Sequence, residues 1–310
     1  MNFAFTDDQL ALAATVRDVL RDHCPPAALR AERRPAWEHL ASLGFFELLL
    51  PPEALALTDV VPALEETGRA CLPGPVVETA VVAPYVLPKA SGTVCVLPDG
   101  QAYMADADLA DLLVVVRDGE LRLVARESAR LVPRRGVDPC RPLFSVEFDV
   151  SEPLDGSPEQ VLRRGAVATA AQLIGVAREL LAVSVAYAGV RTQFGAAIGS
   201  FQAVKHLLAD VAVAVEFAAP LVYRAALSVD RAAPSQGRDV SAAKAAAGEA
   251  ATLAARVALQ VHGAIGYTEE LDLRFWLARA WSLAGAYGTT AAHRSRLRAA
   301  LADGDLRRYP

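Results

Sequence analysis

The hydrophobic pattern of this chain changes period twice, and that double switch narrows its fold more than any other feature. Between residues 89 and 152 the apolar residues come in short β-type runs: Thr93-Val-Cys-Val-Leu97, Leu112-Leu-Val-Val-Val116, Leu121-Arg-Leu-Val124 and Ser145-Val-Glu-Phe-Asp-Val150. Turn residues such as Pro98-Asp-Gly100 and Asp118-Gly119 separate them, as strand connections require. On both sides the apolar spacing is helical. The sequence therefore predicts an α+β chain that is mostly α. Its three domains are a helical one over 1–88, a small and mainly antiparallel sheet over 89–152, and a helical bundle over 153–310.

The helical segments carry their own start and stop signals. Thr6-Asp-Asp-Gln9 has the form of a capping box, whose two side chains satisfy free amides of a first turn. Leu12, Val16, Val19 and Leu20 then fall on one face of a helix that Pro25-Pro26 ends. Further helices are predicted over 35–44 around Trp37 and Leu40, from Thr58 to about Ala70, and over 76–87. The breaker-rich Cys71-Leu-Pro-Gly-Pro75 separates the last two. Five helices are predicted after 158. The second has an apolar stripe from Phe201 through Val204, Leu207, Leu208 and Val211 to Val215, and the third is the alanine-rich 239–262. Pro234 and Gly237 are assigned to the loop between them, and 270–284 and 288–302 follow.

With 53% hydrophobic residues and an alanine-dominated C-terminal half, the composition suits a helical bundle. A net charge of −5 with no basic stripe argues against nucleic acid as a partner. Asp210 and Glu216 interrupt the apolar stretch 208–223, so no membrane span is expected. Met1 to Asp8 is acidic and lacks the features of a secretory signal. The four cysteines, at 24, 71, 95 and 140, lie far apart and form no CxxC pair, which fits a reduced, cytoplasmic protein.

Two segments carry candidate chemistry. Arg191 follows a long helix and precedes a bend at Phe194-Gly195; a planar, permanently charged fork suits a pyrophosphate, and an aromatic ring beside it can pack on adenine. The second is Gln260 through Thr268, where amides at Gly263-Ala264 can donate to phosphate. The plain structural alternatives are that Arg191 caps a helix end and Phe194 belongs to the core. Thr289 serves equally as a helix N-cap. His262 reads as a packed helix histidine, and no residue pairs with it at metal-ligand spacing.

Arg191-Thr-Gln-Phe-Gly195, Phe201-Gln202 and Gln260-Val-His-Gly-Ala-Ile-Gly-Tyr-Thr268, set in a helical–β–helical chain, resemble the acyl-CoA dehydrogenase family. That family desaturates acyl-CoA thioesters at the α,β bond using FAD. By this resemblance Arg191, Phe194, Gln260, Gly263, Ala264 and Thr289 would hold the nucleotide part of an FAD shared with a neighbouring subunit. Two adjacent glycines are usual where this chain has Gly263-Ala264.

The chain departs from the family where the base should be. The family's glutamate precedes the Gly-Thr of the last helices, and here Tyr287 stands there; a phenol with an ordinary pKa of about 10 is a poor base near neutral pH. A second base position, used by a minority of members, falls on Gly165, and the active-site arginine position falls on Ala166. A small register shift would let Arg163 or Arg164 restore the arginine; Glu159 and Glu179 lie too far along to restore the carboxylate. The sheet region also lacks the family's flavin-ring loop. With Cys71-Leu-Pro-Gly-Pro75 and Ala286-Tyr-Gly-Thr289, the chain resembles the short subunits of actinobacterial heteromeric, steroid-degradation enzymes. The resemblance implies a subunit of an FAD-dependent acyl-CoA dehydrogenase, with an α2β2-like partner of the same family and an electron-transfer-flavoprotein-type acceptor. Two alternatives stay open: a self-sufficient enzyme using Glu269, Glu270 or Tyr287 as base, and a structural or acyl-CoA-binding subunit without flavin contact. Arg130, Arg134 and Arg135 read as an exposed turn rather than a CoA phosphate site.

Overall fold

The computed structural model describes residues 5–52, 54–89 and 92–302; the first four residues of the acidic N-terminal segment lie outside that range. Helix α1, Asp7–His23, opens on the predicted capping box: Thr6 Oγ1 accepts from Gln9 N–H at 3.2 Å, and Gln9 Oε1 accepts from Thr6 N–H at 2.9 Å. Val16 and Leu20 are buried on its inner face. The prolines that end α1 also start a short helix, α2, Pro26–Ala31, which the sequence reading missed. Helix α3, Trp37–Ser42, stops at Gly44, whose φ of 72° suits a glycine. Helix α4 is Leu57–Arg69, and the next helical stretch combines a π turn, Glu78–Val82, with α5, Ala83–Val86.

The middle region is two sheets rather than one. Strands β1 (Val94–Leu97), β3 (Leu112–Arg117), β4 (Glu120–Ala125) and β7 (Glu152–Pro153) form the first, in the order β1-β3-β4-β7. Strands β2 (Met104–Ala105), β5 (Ala129–Arg134) and β6 (Leu143–Phe148) form the second, in the order β2-β6-β5. The β1–β3 pair is parallel, with Val94 opposite Leu112, and all other pairs are antiparallel. Cys95, Leu113, Val115 and Val124 pack with Met104 and Phe144 of the second sheet. The other face, with Val94, Val96, Val114 and Val116, packs on Val82, Val86 and Val161 of the helices. A strand buried on both faces needs no polar alternation, which explains the unbroken Leu112-Leu-Val-Val-Val116 run.

The bundle holds five helices among the described residues, as the periodicity predicts: α6 (Pro158–Val190), α7 (Gln202–Asp230), α8 (Gln236–His262), α9 (Leu273–Gly285) and α10 (Thr290–Ala302). Gly237 is the second residue of α8 and not part of the loop before it. A tight hairpin of β8 (Thr192–Gln193) and β9 (Ala196–Ala197) joins α6 to α7. Helices α6 and α7 are long and apolar enough to cross a membrane by composition alone. In this fold α6 is the central element, buried against α4, α7, α8 and α9, so its apolarity is met by protein.

Small residues set the helix spacing. A Cβ added at Gly68 of α4 would lie 2.1 Å from Gln172 O of α6, and one at Gly175 of α6 would lie 1.9 Å from Glu65 O of α4. The two backbones therefore touch. Helix α8 achieves the same closeness through a face of buried alanines, among them Ala243, Ala247, Ala251 and Ala254.

Candidate functional site

The two positions where the family's base is expected meet in space. A Cβ on Gly165 would fall 2.1 Å from Cε1 of Tyr287, so the tyrosine ring lies flush against the bare backbone of α6. Tyr287 is buried and adopts a left-handed φ of 54°. Its hydroxyl donates to Glu78 Oε1 at 3.1 Å. Glu78 comes from the π turn before α5 and is itself buried, and burial raises its carboxyl pKa against the pull of Arg141 and the Tyr287 hydrogen bond. The Tyr287 phenol is pushed well above its usual value by burial and by Glu78. With two protons the pair is neutral, a Tyr-OH donating to a carboxyl group; with one proton it is singly charged, on Glu78. In neither form is the phenol a free base.

The backbone that carries Tyr287 is held from behind by one face of α8. Lys244 Nζ donates to Ala284 O at 3.1 Å and Gly288 O at 3.2 Å. His293 Nε2 lies 3.1 Å from Tyr287 O and its Nδ1 3.4 Å from Ser241 Oγ, which a neutral ring satisfies by donating through Nε2 and accepting at Nδ1. Burial, reinforced by nearby Lys244, pushes that imidazole down to about 4 and keeps it neutral. Gly248 continues the same α8 face, and a Cβ there would meet Thr290 Oγ1 at 2.7 Å.

An open cavity of about 510 Å³ lies in front of Tyr287, bounded by the turn 98–103, Arg141, the segment 285–289 and Arg296. Arg141 reaches it from the turn before β6, with Nη1 donating to Ser282 Oγ at 3.2 Å. Neither Arg163 nor Arg164 of α6 lines the cavity. Arg163 pairs with Glu159 one turn earlier, and Arg164 lies over the Tyr85 ring at 5.0 Å. Ala166 is buried in the core. Glu179 accepts from Arg69 Nε at 3.0 Å. Two of the acidic residues after the Gly-Tyr-Thr segment are engaged at the surface: Asp272 accepts from Arg30 Nε at 2.9 Å, and Glu269 meets Arg274 at 3.3 Å. Glu269, Glu270 and Asp272 do not line the cavity. Arg130 pairs with Glu147 and Arg134 donates to Ser145 Oγ, both on exposed strands of the second sheet.

The nucleotide-type residues gather elsewhere, at the end of the bundle where α6 and α8 finish together. The Tyr187 ring stacks on His262 with centroids 4.3 Å apart, fixing one helix end beside the other. His262 is a packed residue, its Nδ1 2.8 Å from Ala258 O. The chain then turns sharply through Phe194 (φ 53°) and Gly195 (φ 80°), which throws Phe194 outward until it is 94% exposed. Phe194 is therefore not a core residue. Its nearest ring is Phe201, edge-on at 6.3 Å. Arg191 is the C-cap of α6 through its backbone, and its guanidinium, like Gln260, is exposed. Gly263 has φ 63°, and a Cβ there would meet nothing within 4 Å. Ala264 is exposed too, while the Gly263 N–H donates to Leu259 O as the cap of α8. A charged fork and a projecting ring are groups that the phosphate and adenine parts of FAD call for. Thr289 is not at this end. It caps α10, its Oγ1 accepting from Ala292 N–H at 3.2 Å, and it lines the cavity. Gln260 lies twelve residues beyond Gly248, the α8 residue that touches the start of α10, or about 18 Å along the helix.

Comparison with known proteins identifies the family. The family profile described as the acyl-CoA dehydrogenase C-terminal domain matches residues 157–302. Acyl-CoA dehydrogenase IpdE2 of Mycobacterium tuberculosis is 31% identical over 304 residues, covering 88% of this chain and 91% of that protein. Acyl-CoA dehydrogenase FadE34 of the same organism is 34% identical over 290 residues, which are 82% of this chain but 40% of FadE34. Among solved structures, a glutaryl-coenzyme A dehydrogenase in complex with glutaryl-CoA superposes with a TM-score of 0.83 at 21% identity, over 98% of this chain and 97% of that one. A chain of the ChsE4–ChsE5 complex from Mycobacterium tuberculosis does so at 0.82 and 18% identity, over 98% and 99%. The chain belongs to the acyl-CoA dehydrogenase family, FAD-dependent oxidoreductases acting on the CH–CH bond of acyl-CoA thioesters.

Proposed function

We propose that this chain works as the base-free subunit of a heteromeric acyl-CoA dehydrogenase. It contributes nucleotide contacts to an FAD whose ring and catalytic carboxylate belong to a partner of the same family. The observation that carries this is the opposite fate of the two half-sites: both base positions are filled by the Tyr287–Gly165 contact, while Arg191, Phe194, Gln260, Gly263 and Ala264 face outward. In this reading Arg191 pairs with the pyrophosphate, Phe194 covers the adenine, and the exposed turn at Gly263 and Ala264 lets the nucleotide approach the backbone beside Gln260. Thr289 serves as the α10 cap beside the cavity. When bound, FAD supplies the acceptor for the hydride leaving the acyl β-carbon, and an electron-transfer-flavoprotein-type protein reoxidises it.

Apolar residues on the surface support a partner. Val190, Phe194, Val213 and Phe217 are all more than half exposed on the hairpin and the adjoining helices. The ChsE4–ChsE5 and Tcur3481–Tcur3483 structures, the latter a steroid enzyme, each name two chains, and one chain of each superposes on this fold. A bulky, steroid-derived acyl-CoA is the corresponding substrate class, and the domain division at 88/89 and 152/153 is the one we adopt for such a subunit. The test is coexpression with a neighbouring dehydrogenase-like chain, followed by mass and flavin-to-chain ratio. The expected result is a mixed oligomer with fewer flavins than chains, whose flavin content falls at least tenfold in Arg191→Ala. A homotetramer carrying one FAD per chain would falsify the proposal.

A further inference from the structure

We propose, building on the half-site reading above, that Tyr287 is a plug: its ring closes this chain's own acyl-thioester pocket, and removing the ring opens a site for a short acyl group.

Two spaces of very different size lie near the ring and its partner Glu78. In front is the cavity of about 510 Å³, which Tyr287 lines. Behind, beyond the Tyr287–Glu78 hydrogen bond, is a void of about 10 Å³ bordered by Glu78, Arg141, Thr169, Gln172 and Arg279. Arg141 borders both spaces. The inner void holds about one water and no acyl chain, and its lining is polar and charged. The ring thus lines a roomy vestibule, and its hydrogen-bond partner Glu78 borders the interior void.

The ring is held too firmly to be a side chain that happened to fill a gap. A non-glycine residue at φ 54° costs free energy and persists only where its surroundings fix it. Tyr287 is fixed at its hydroxyl by Glu78, at its carbonyl by His293, and at the next carbonyl by Lys244. Its ring also requires Gly165, because any Cβ there would overlap Cε1. Four residues from the π turn, α6, α8 and α10 therefore converge on one tyrosine. None of them is explained by a vacant base position alone.

The experiment measures equilibrium binding of butyryl-CoA against free CoA to the purified protein, in whatever complex it forms, for the wild type, Tyr287→Phe, Tyr287→Gly and Tyr287→Asn. Glycine and asparagine both accept the left-handed backbone, so one remains informative if the other fails to fold. The expected result is one added acyl-dependent site per copy of this chain in the glycine and asparagine variants, with butyryl-CoA bound at least tenfold tighter there than free CoA. The phenylalanine variant keeps the ring and is expected to match the wild type. No added site in either opened variant, or an added site in Tyr287→Phe, overturns the plug. A second measurement is melting temperature: Gly165→Ala is expected to lower it in the wild type and to leave it unchanged in the Tyr287→Gly background. An equal drop in both would show that the Gly165–Tyr287 contact is not the seal. These outcomes are independent of flavin content, so the plug can fail while the shared-flavin reading stands, and the reverse.

Discussion

Lys244 has no exposed surface and, among the described residues, donates to two carbonyls rather than to a carboxylate. Burial, then the nearby charge of Arg141, lowers its pKa from 10.5 to about 7. The unfolded chain holds that proton more tightly, so protonation favours unfolding, and stability rises with pH from about 7 toward 10.5. Asp106 and Glu65, both raised by burial to about 7, act over a lower range: their contribution is lost as pH rises from near 4 through 7. His293 is neutral throughout the higher range. Comparison of wild type with Lys244→Met between pH 7 and 8.5 cancels the background from other groups. The wild type is expected to gain about 2 kcal/mol over that interval relative to the variant. Urea midpoints at matched pH measure it, and two parallel curves would remove Lys244 from the account.

At the scale of elements, the backbone contact between α4 and α6 sets the geometry that brings Gly165 under Tyr287. Gly175→Ala places a methyl group 1.9 Å from Glu65 O, where only backbone can move. The expected cost is about 3 kcal/mol or more, because overpacking against main chain cannot relax by a rotamer change. Gly189→Ala on the same helix meets nothing within 4 Å and is expected to be neutral or stabilising by up to about 1 kcal/mol. Denaturant unfolding of the pair checks both, and equal effects would contradict the close crossing. The crossing itself was not legible in the sequence, because a helical glycine looks the same whether it marks contact or indifference. What was legible had a local cause: the Thr6 capping box, the Leu112 to Val116 strand, the five-helix count after 158. Pro25-Pro26 ends α1, yet proline at the first helical position also starts a helix, and α2 begins there. Strands β2 and β7 are two residues long, too short to show a period. The site was half legible. Tyr287 and Gly165 stood out by family position, but their contact is tertiary. Glu78, Arg141 and Lys244 lie 209, 146 and 43 residues from Tyr287 in sequence, and no local motif ties them to it.

For the whole molecule, the question is where the unpartnered apolar surface leads. Along α7, Val213, Phe217 and Leu221 follow one another at four-residue spacing on the outer face, exposed by 55%, 77% and 37%. Val185 and Val190 on α6 and Phe194 on the hairpin are also exposed at this side of the bundle. Their burial on the inside would gain nothing for the monomer, since the opposite face of α7 already supplies Val211, Val215, Ala218 and Val222 to the core. A subunit that shares its cofactor across an interface needs such a surface, and apolar area is what stabilises it. Phe217→Glu tests this separately from folding. The substituted carboxylate stays in water in the isolated chain, so unfolding of the subunit is expected to shift by less than about 0.5 kcal/mol. In an assembly the same charge is desolvated without a partner, and association is expected to weaken by a hundredfold or more, equivalent to about 3 kcal/mol. Sedimentation velocity of the coexpressed complex reads the mass, and flavin absorbance at the same boundary reads the shared site. Loss of the complex together with its flavin is the expected outcome, with the separated chain melting as before. An intact complex would place the interface on another face and leave the α7 stripe without a role in assembly.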